Sequence, residues 1–315
     1  MIDNCYLGID TSNYTTSLSV VDAQGLVVAN LKIPLEVKPG ERGLRQSDAV
    51  FQHTKNMPQL FAMAEPYLEK YTSIAVGVSV SPRSCEGSYM PCFLVGKAVA
   101  HSISKTLKIP LFELSHQNGH VMAACYSGGV PESLLEKPFL AFHVSGGTTE
   151  ALLVKPDGYG FSCEIIGGTK DINAGQAIDR VGVAMGLAFP CGPELERLAV
   201  SYSEKIPHTA VCVKDGFCNL SGLENKAVKL YEETGNKNLV AAYVLDFVGA
   251  TLETITSRIK SEYTEYPIVY SGGVMSCSLL QKRLKKENTY FAEPAFSSDN
   301  AAGIALLCRR AFLAE

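Results

Sequence analysis

Pro138-Phe-Leu-Ala-Phe-His-Val-Ser-Gly-Gly-Thr-Thr149 joins an apolar strand, Pro138–Val144, to a turn of small and hydroxyl residues, Ser145-Gly-Gly-Thr-Thr149. Glu150–Lys155, a tight turn at Pro156-Asp-Gly158 and Gly160–Ile166 continue it as a hairpin. The same order of pieces stands near the start of the chain. Tyr6–Ile9 reads as a strand and Asp10-Thr-Ser-Asn-Tyr-Thr15 as a hydroxyl-rich turn; Ser17–Val21 and Leu26–Leu31 then pair around Asp22-Ala-Gln-Gly25. A meander that occurs twice predicts a duplicated α/β fold of two related domains, residues 1–136 and 137–315, with a ligand cleft between them.

This organisation resembles the actin/Hsp70/sugar-kinase (ASKHA) architecture, in which the first turn of each half faces nucleotide phosphates. Backbone N–H groups and hydroxyls of Ser, Thr and Gly turns cradle oxyanions, which makes Asp10, Thr11 and Ser12 candidates for a first phosphate turn. Each turn taken alone is also an ordinary hairpin turn, because these residues populate turns anyway.

Between and beyond the meanders the pattern alternates helix and strand. Residues 36 to 46, with Pro39-Gly40 and Arg42-Gly43, read as a loop; a helix is expected over about Ser47–Tyr71 and a strand over Ser73–Val80. From Gly87 a loop runs into a helix ending near Leu107. Helices are expected at about Ala174–Leu187, Gly192–Ser203, Leu223–Thr234 and Leu239–Glu262. A strand at Pro267–Tyr270, a helix to about Lys286, a strand at Thr289–Ala292 and a last helix from about Ala301 complete the chain.

After the apolar run Ile109-Pro-Leu-Phe-Glu-Leu114, Ser115 reads as an N-cap and His116 and His120 as one face of the helix that follows. Two imidazoles meeting at one point offer a transition metal two ligands, although an HxxxH pair by itself is more often a chance or core pairing.

Composition bounds the rest. The 315 residues are 46% hydrophobic and 19% charged, with a net charge of −4, so a nucleic-acid contact must come from a local patch or a partner subunit. No apolar run reads as a membrane span and no leader pattern stands at the N-terminus, which predicts a cytoplasmic protein without membrane association. The ten cysteines include no CxxC pair, which argues for reduced, mostly buried thiols and against a zinc ribbon or disulfide framework.

With these pieces placed, the chain resembles the TsaD/Gcp family (older name O-sialoglycoprotein endopeptidase), an actin-like family, from Gly8 to about Ala311. Gly8-Ile-Asp-Thr-Ser12 is similar to its first turn. Ser81–Ala98 is similar to its GPGxxxxLxVG segment, and His116–His120 to its HxxGH metal motif. Val144-Ser-Gly-Gly-Thr148 is similar to its VSGGHT turn. Ala174-Gly-Gln-Ala-Ile-Asp179 and Gly186–Pro193 follow its AGEAFDK and GLxYPGGP block. Leu220-Ser-Gly-Leu223, Gly272-Gly-Val274 and Ser298-Asp-Asn-Ala-Ala302 resemble its FSGLK, GGV and TDNAAM segments.

The resemblance implies transfer of the threonylcarbamoyl group from threonylcarbamoyl-AMP to N6 of adenosine 37 in tRNAs reading ANN codons. It implies one divalent metal ion, iron or zinc, held by His116, His120 and Asp299. It places an adenine nucleotide along His143, Val144, Ser145, Gly146 and Gly147, with Asp179, Gly192 and Glu196 near ribose and base, and Cys277 where members carry an asparagine after GGV. It implies tRNA as substrate and TsaB-like and TsaE-like subunits as partners.

Read alone, several of these residues have plainer roles. Asp299 before an apolar segment suits an N-cap, Asp179 an ion pair with Arg180, Gly192 a tight turn and His143 strand packing. His53 reads as a partly exposed helix residue, and Lys282-Arg-Leu-Lys-Lys286 as a solvated basic face with weak support for tRNA contact. The chain also departs from the family: Asn13-Tyr-Thr-Thr16 replaces CDDT or CDET, Ile172-Asn173 follows Asp171 where a second acid is usual, and Gln176 replaces a glutamate. Asn118 replaces the acid of HxEGH, and Cys191 the first glycine of PGGP. Lost carboxylates favour, as an alternative, a nucleotide-binding scaffold within a tRNA-modification complex. A metalloprotease is disfavoured because Gln117 stands where HExxH needs its glutamate. A small-molecule kinase, with Asp10 holding magnesium-bound phosphate, has no need of paired histidines.

Overall fold

A computed structural model describes residues 3–12, 14–37 and 44–315. The expected loop at Pro39-Gly40 and Arg42-Gly43, and the departure at Asn13, lie outside the described residues. The first half runs β1 (Asp3–Asp10), β2 (Thr15–Asp22), β3 (Val27–Pro34), α1 (Gln46–Leu68), β4 (Tyr71–Ser81), α2 (Phe93–Leu107), β5 (Leu111–Ser115) and α3 (His116–Ser127). It continues through α4 (Glu132–Leu135), β6 (Phe139–Val144), β7 (Thr149–Asp157), β8 (Gly160–Thr169), α5 (Ala174–Ala184) and α6 (Gly192–Val200). Then come β9 (Val213–Lys214), β10 (Phe217–Cys218), α7 (Ser221–Thr234), α8 (Lys237–Lys260), β11 (Ile268–Ser271), α9 (Ser278–Leu284), β12 (Thr289–Phe291), α10 (Pro294–Ser297) and α11 (Ala302–Ala314).

Both meanders are present, and each seeds a sheet of the same order. The first sheet is β3-β2-β1-β4-β5. β1 and β2, and β2 and β3, are antiparallel, whereas β4 and β5 join in parallel. The second contains β8-β7-β6-β11-β12, with β6 antiparallel to β7 and parallel to β11, and β11 parallel to β12. β10 and β9 extend it beyond β8. The duplication is therefore one of topology: meander first, then strands added in parallel after helical crossovers.

The chain divides into two units. One comprises Met1–Ser127, Pro156–Ser162 and Ala295–Glu315; the other comprises Gly128–Lys155 and Cys163–Pro294. This differs from a single cut at 136/137 because α11 packs on β1, β4 and α3. Glycine makes that approach close: a Cβ at Gly8 would stand 2.5 Å from the Ala301 carbonyl, and one at Gly77 2.8 Å from Cys308 Cβ. On the other side of the first sheet, Met57, Leu60 and Ala64 of α1 and Ala100 of α2 complete a core with Leu7, Ile9, Leu18 and Val78. The core of the second unit gathers β6 and β7 with α5, α6, α7 and α8.

Two expectations change here. α8 is long and apolar enough to cross a membrane, so the reading that no apolar run reaches that length is corrected; 72% of its most apolar window is buried inside the unit. Packed against α6, α7 and α9, it is apolar around most of its circumference because most of its circumference is core. Tyr71, expected to end α1, instead begins β4. The cysteines are all free, and Cys5, Cys92, Cys125, Cys191, Cys218 and Cys308 are buried.

Candidate functional site

β5 delivers the chain to Ser115, whose Oγ accepts the Asn118 N–H at 3.2 Å and opens α3. The next residue is His116, and His120 lies one turn on, with ring centroids 4.3 Å apart in edge contact. Asp299 comes from the segment between α10 and α11. It does not cap α11, whose N-cap position is Ala301 and which has no side-chain cap; the Ala302 N–H goes to Asn300 Oδ1 at 3.0 Å. Asp299 Oδ1 instead lies 3.3 Å from His120 Nε2 and 3.6 Å from His116 Nε2. One ligand atom from each of the three residues lies within 4.8 Å of the others. Two imidazole nitrogens and a carboxylate oxygen at one point fit a divalent metal ion.

Behind this group stands Asp10. His116 donates from Nδ1 to Asp10 Oδ1 at 3.2 Å, which fixes the ring and leaves Nε2 as the ligand atom. Ser12 and Ser79 hydroxyls donate to the two carboxylate oxygens of Asp10. Burial opposes charge on both members of the His116–Asp10 pair, and mutual attraction outweighs it. Asp10 stays below the usual carboxylate range. The Asp10 and Asp299 carboxylates lift His116 to about 9.

The side chains of the expected first phosphate turn are all engaged by protein. Asp10, Thr11 and Ser12 are fully buried. Thr11 Oγ1 donates to the Cys92 carbonyl at 2.9 Å and accepts the Gly96 N–H at 3.1 Å, which ties the turn to the start of α2.

Asn118 gives a structural reason for one family departure. Its Oδ1 accepts the Phe161 N–H at 2.7 Å and its Nδ2 donates to the Phe161 carbonyl at 2.9 Å. An acid here would supply acceptors only and turn an oxygen toward that carbonyl. His53 is not partly exposed but fully buried, on the α1 stripe Ala49, His53, Met57, Leu60 and Ala64. Its Nδ1 lies 2.9 Å from Thr16 Oγ1, and its Nε2 has no hydrogen-bond partner among the described residues. Burial pulls it down to about 4 despite the Asp10 and Asp299 carboxylates, so the ring is neutral.

The remaining candidates belong to the second unit. Ser145 Oγ accepts the Gly147 and Thr148 N–H groups at 3.2 and 3.0 Å, and the Ser145 N–H reaches the Thr148 carbonyl at 2.7 Å. α5 begins against this turn: the Gly175 N–H reaches the Ser145 carbonyl at 3.1 Å, and a Cβ at Gly175 would stand 2.6 Å from Gly146 N. Val144 is buried, with its carbonyl against Gly272 (φ +97°), and His143 Nδ1 lies 3.1 Å from Ser271 Oγ. Asp179 Oδ1 accepts the Cys191 N–H at 2.8 Å, just ahead of Gly192. Glu196 Oε1 accepts the Ser278 N–H at 2.8 Å, which joins α6 to the start of α9 beside Cys277. Burial pushes the Cys277 thiol up to about 11. Gly146, Gly147 and Gly192 all border open space, with nothing within 4 Å of where a Cβ would stand.

A further departure, Gln176, and the retained acid Asp171 also work on helix starts. Gln176 Oε1 accepts the Asn173 N–H at 3.1 Å, and Asp171 accepts the Leu220 and Ser221 N–H groups at the start of α7. The basic stretch is smaller than its sequence suggests. Arg283 pairs with Asp246 at 2.8 Å and Glu253 at 2.9 Å, and α9 ends at Leu284, before Lys285 and Lys286. Sequence reasoning missed Asp10 as the support of His116, because the contact spans 106 positions and no local pattern announces it.

A duplicated sheet order with a helix-borne histidine pair and a carboxylate defines an actin-like protein with a candidate metal centre. Solved actin-like structures align over nearly the whole chain; one, the activator of the 2-hydroxyisocaproyl-CoA dehydratase from Clostridium difficile with bound ADPNP, has a TM-score of 0.54 at 14% identity and covers 97% of this chain and 94% of its own. Residues 47–306 match the family described as TsaD, tRNA N6-adenosine threonylcarbamoyltransferase. A tRNA N6-adenosine threonylcarbamoyltransferase of Thermus thermophilus is 32% identical over 96% of this chain and 92% of its own. One of Streptococcus equi subsp. zooepidemicus is 30% identical over 97% and 91%. The chain belongs to the tRNA N6-adenosine threonylcarbamoyltransferase family, a family of transferases.

Proposed function

We propose that this chain transfers the threonylcarbamoyl group from threonylcarbamoyl-AMP to N6 of adenosine 37 in tRNAs reading ANN codons. The observation that carries the reading is the convergence of His116, His120 and Asp299 in a chain of this family. The adenosine N6 lone pair attacks the carbamoyl carbon, the bond from that carbon to the phosphate oxygen breaks, N6 loses a proton and AMP leaves. His116, His120 and Asp299 hold a divalent metal, iron or zinc, which when bound supplies Lewis-acid polarisation of donor oxygens.

The chain's own residues orient and bind. Asp10 holds His116 in the tautomer that presents Nε2. The Ser145–Thr148 turn receives the adenylate along His143–Gly147, where Gly146 and Gly147 leave room for its oxygens beside the start of α5. Asp179, Gly192, Glu196 and Cys277 line the ribose and base side. We place the protein in the cytoplasm, with TsaB-like and TsaE-like subunits as partners.

The test is a transfer assay with purified protein, threonylcarbamoyl-AMP and unmodified tRNA, with and without those subunits. Modified adenosine 37 is expected from the wild type and not from His116→Ala. A metal-loaded, nucleotide-binding wild type that modifies no tRNA refutes the transferase reading. It favours the scaffold instead, for which Cys277 is the specific support: a thiol kept neutral by burial stands where the family's asparagine offers an amide.

A further inference from the structure

One row across the first sheet reaches both elements that carry the candidate metal ligands. Asp10 of β1 pairs with Ser17 of β2, and Ser17 pairs with Lys32 of β3. At the β1 end, the Asp10 carboxylate holds His116. In the middle, Ser17 Oγ donates to the Asp10 carbonyl at 3.1 Å. At the β3 end, Lys32 Nζ donates to the Ala295 carbonyl at 2.7 Å and to Ser298 Oγ at 3.1 Å. Ser298 immediately precedes Asp299.

Asp299 lies between the four-residue α10 and α11, on irregular backbone. A metal ligand on such a segment must be ordered before it can bind, and that ordering opposes binding unless something fixes the segment in advance. Asn300 braces the segment from within: its Nδ2 donates to the Phe296 and Ser298 carbonyls on the α10 side, and its Oδ1 accepts from Ala302 on the α11 side. Those bonds are internal to the segment; Lys32 supplies its tie to a hydrogen-bonded strand of the sheet. Burial lowers the Lys32 pKa and the Asp299 carboxylate works against that, so the ammonium also feels the ligand's charge.

We infer that Lys32 is a positioning residue for the metal centre, which preorganises Asp299 by fastening the Ala295–Ser298 segment to the sheet row that supports His116. The inference rests on the metal reading above. An ammonium near a cation site also repels the cation, so the two effects have opposite signs and the experiment separates them.

Zinc affinity is measured by competition with a chromophoric chelator for the wild type, Lys32→Met, Lys32→Arg and Ser298→Ala, with metal-free melting temperatures on the same samples. Lys32→Met is expected to bind zinc at least about tenfold more weakly, with its metal-free melting temperature close to wild type, and Lys32→Arg to recover most of the affinity. Unchanged or tighter binding by Lys32→Met overturns the inference. So does a loss matched by an equal loss of metal-free stability, which marks Lys32 as a general fold residue. If Lys32→Met does not fold, Ser298→Ala decides: weaker binding by about threefold supports the role, and wild-type binding refutes it. A wild type that binds no zinc or iron refutes the metal reading and this inference together, whereas wild-type binding with no Lys32 effect refutes only the inference.

Discussion

The two units repeat a strand order but not the use of its first turn. In the first unit Asp10, Thr11 and Ser12, at the end of β1 and just beyond it, are buried, and their side chains grip His116, Cys92, Gly96 and one another. In the second unit the turn after β6 satisfies itself through Ser145 and presents Gly146 and Gly147 to open space. One topological position thus serves as the foundation of a candidate metal site in one copy and as a self-bonded turn bordering open space in the other. Fold duplication fixes where a turn stands; its side chains decide what it can hold.

The largest test of this contrast is Asp10→Asn against Gly146→Ala. Asp10→Asn is expected to weaken metal affinity by about 10- to 100-fold, since His116 loses its orienting carboxylate. Gly146→Ala is expected to leave metal affinity unchanged and to weaken nucleotide binding by roughly tenfold, about 1.4 kcal/mol. Calorimetric titration of metal and nucleotide into each variant reads both; a loss of metal affinity in Gly146→Ala would erase the division of labour.

Gly175→Ala sharpens the second turn. Its Cβ would meet Gly146 N at 2.6 Å, so α5 or the turn must shift. A loss of about 1–3 kcal/mol of stability is expected in urea unfolding, whereas Gly146→Ala, with space around it, should cost far less.

The smallest effect concerns pH. His116 has a folded value of about 9 against an ordinary 6.5, so in metal-free protein its contribution to stability is complete below about 6.5 and is lost as pH rises through 9. Metal-free wild type should therefore melt a few degrees lower at pH 10 than at pH 6, and His116→Gln should lack that part of the slope. An equal slope in both would place the titration elsewhere.

The meanders, the histidine pair and the order of the family motifs were legible because each is local: alternation, spacing and turn residues lie within a dozen positions. His53 falls at helical spacing on the buried stripe of α1, which its polarity masks in the sequence. Asp299 could not be divided between cap and ligand from sequence, because the answer lies in α11 starting two residues beyond it, at the N-cap Ala301, and in histidines some 180 positions earlier. Asp10 was legible as a turn residue, but its hold on His116, like the contacts of Lys32, was not, for a related reason. Their partners are chosen by strand register, which no short window encodes.

The packing of α11 on β1 and β4 also sets an order of events during synthesis. Ala295–Glu315 is synthesised after every segment of the second unit, so the first unit waits for the helix that covers one face of its sheet until the rest of the chain has been made. Asp299 travels with that late segment. The nascent chain therefore carries His116 and His120 without Asp299 until that segment is made, and the candidate triad is completed only when α11 closes the first unit.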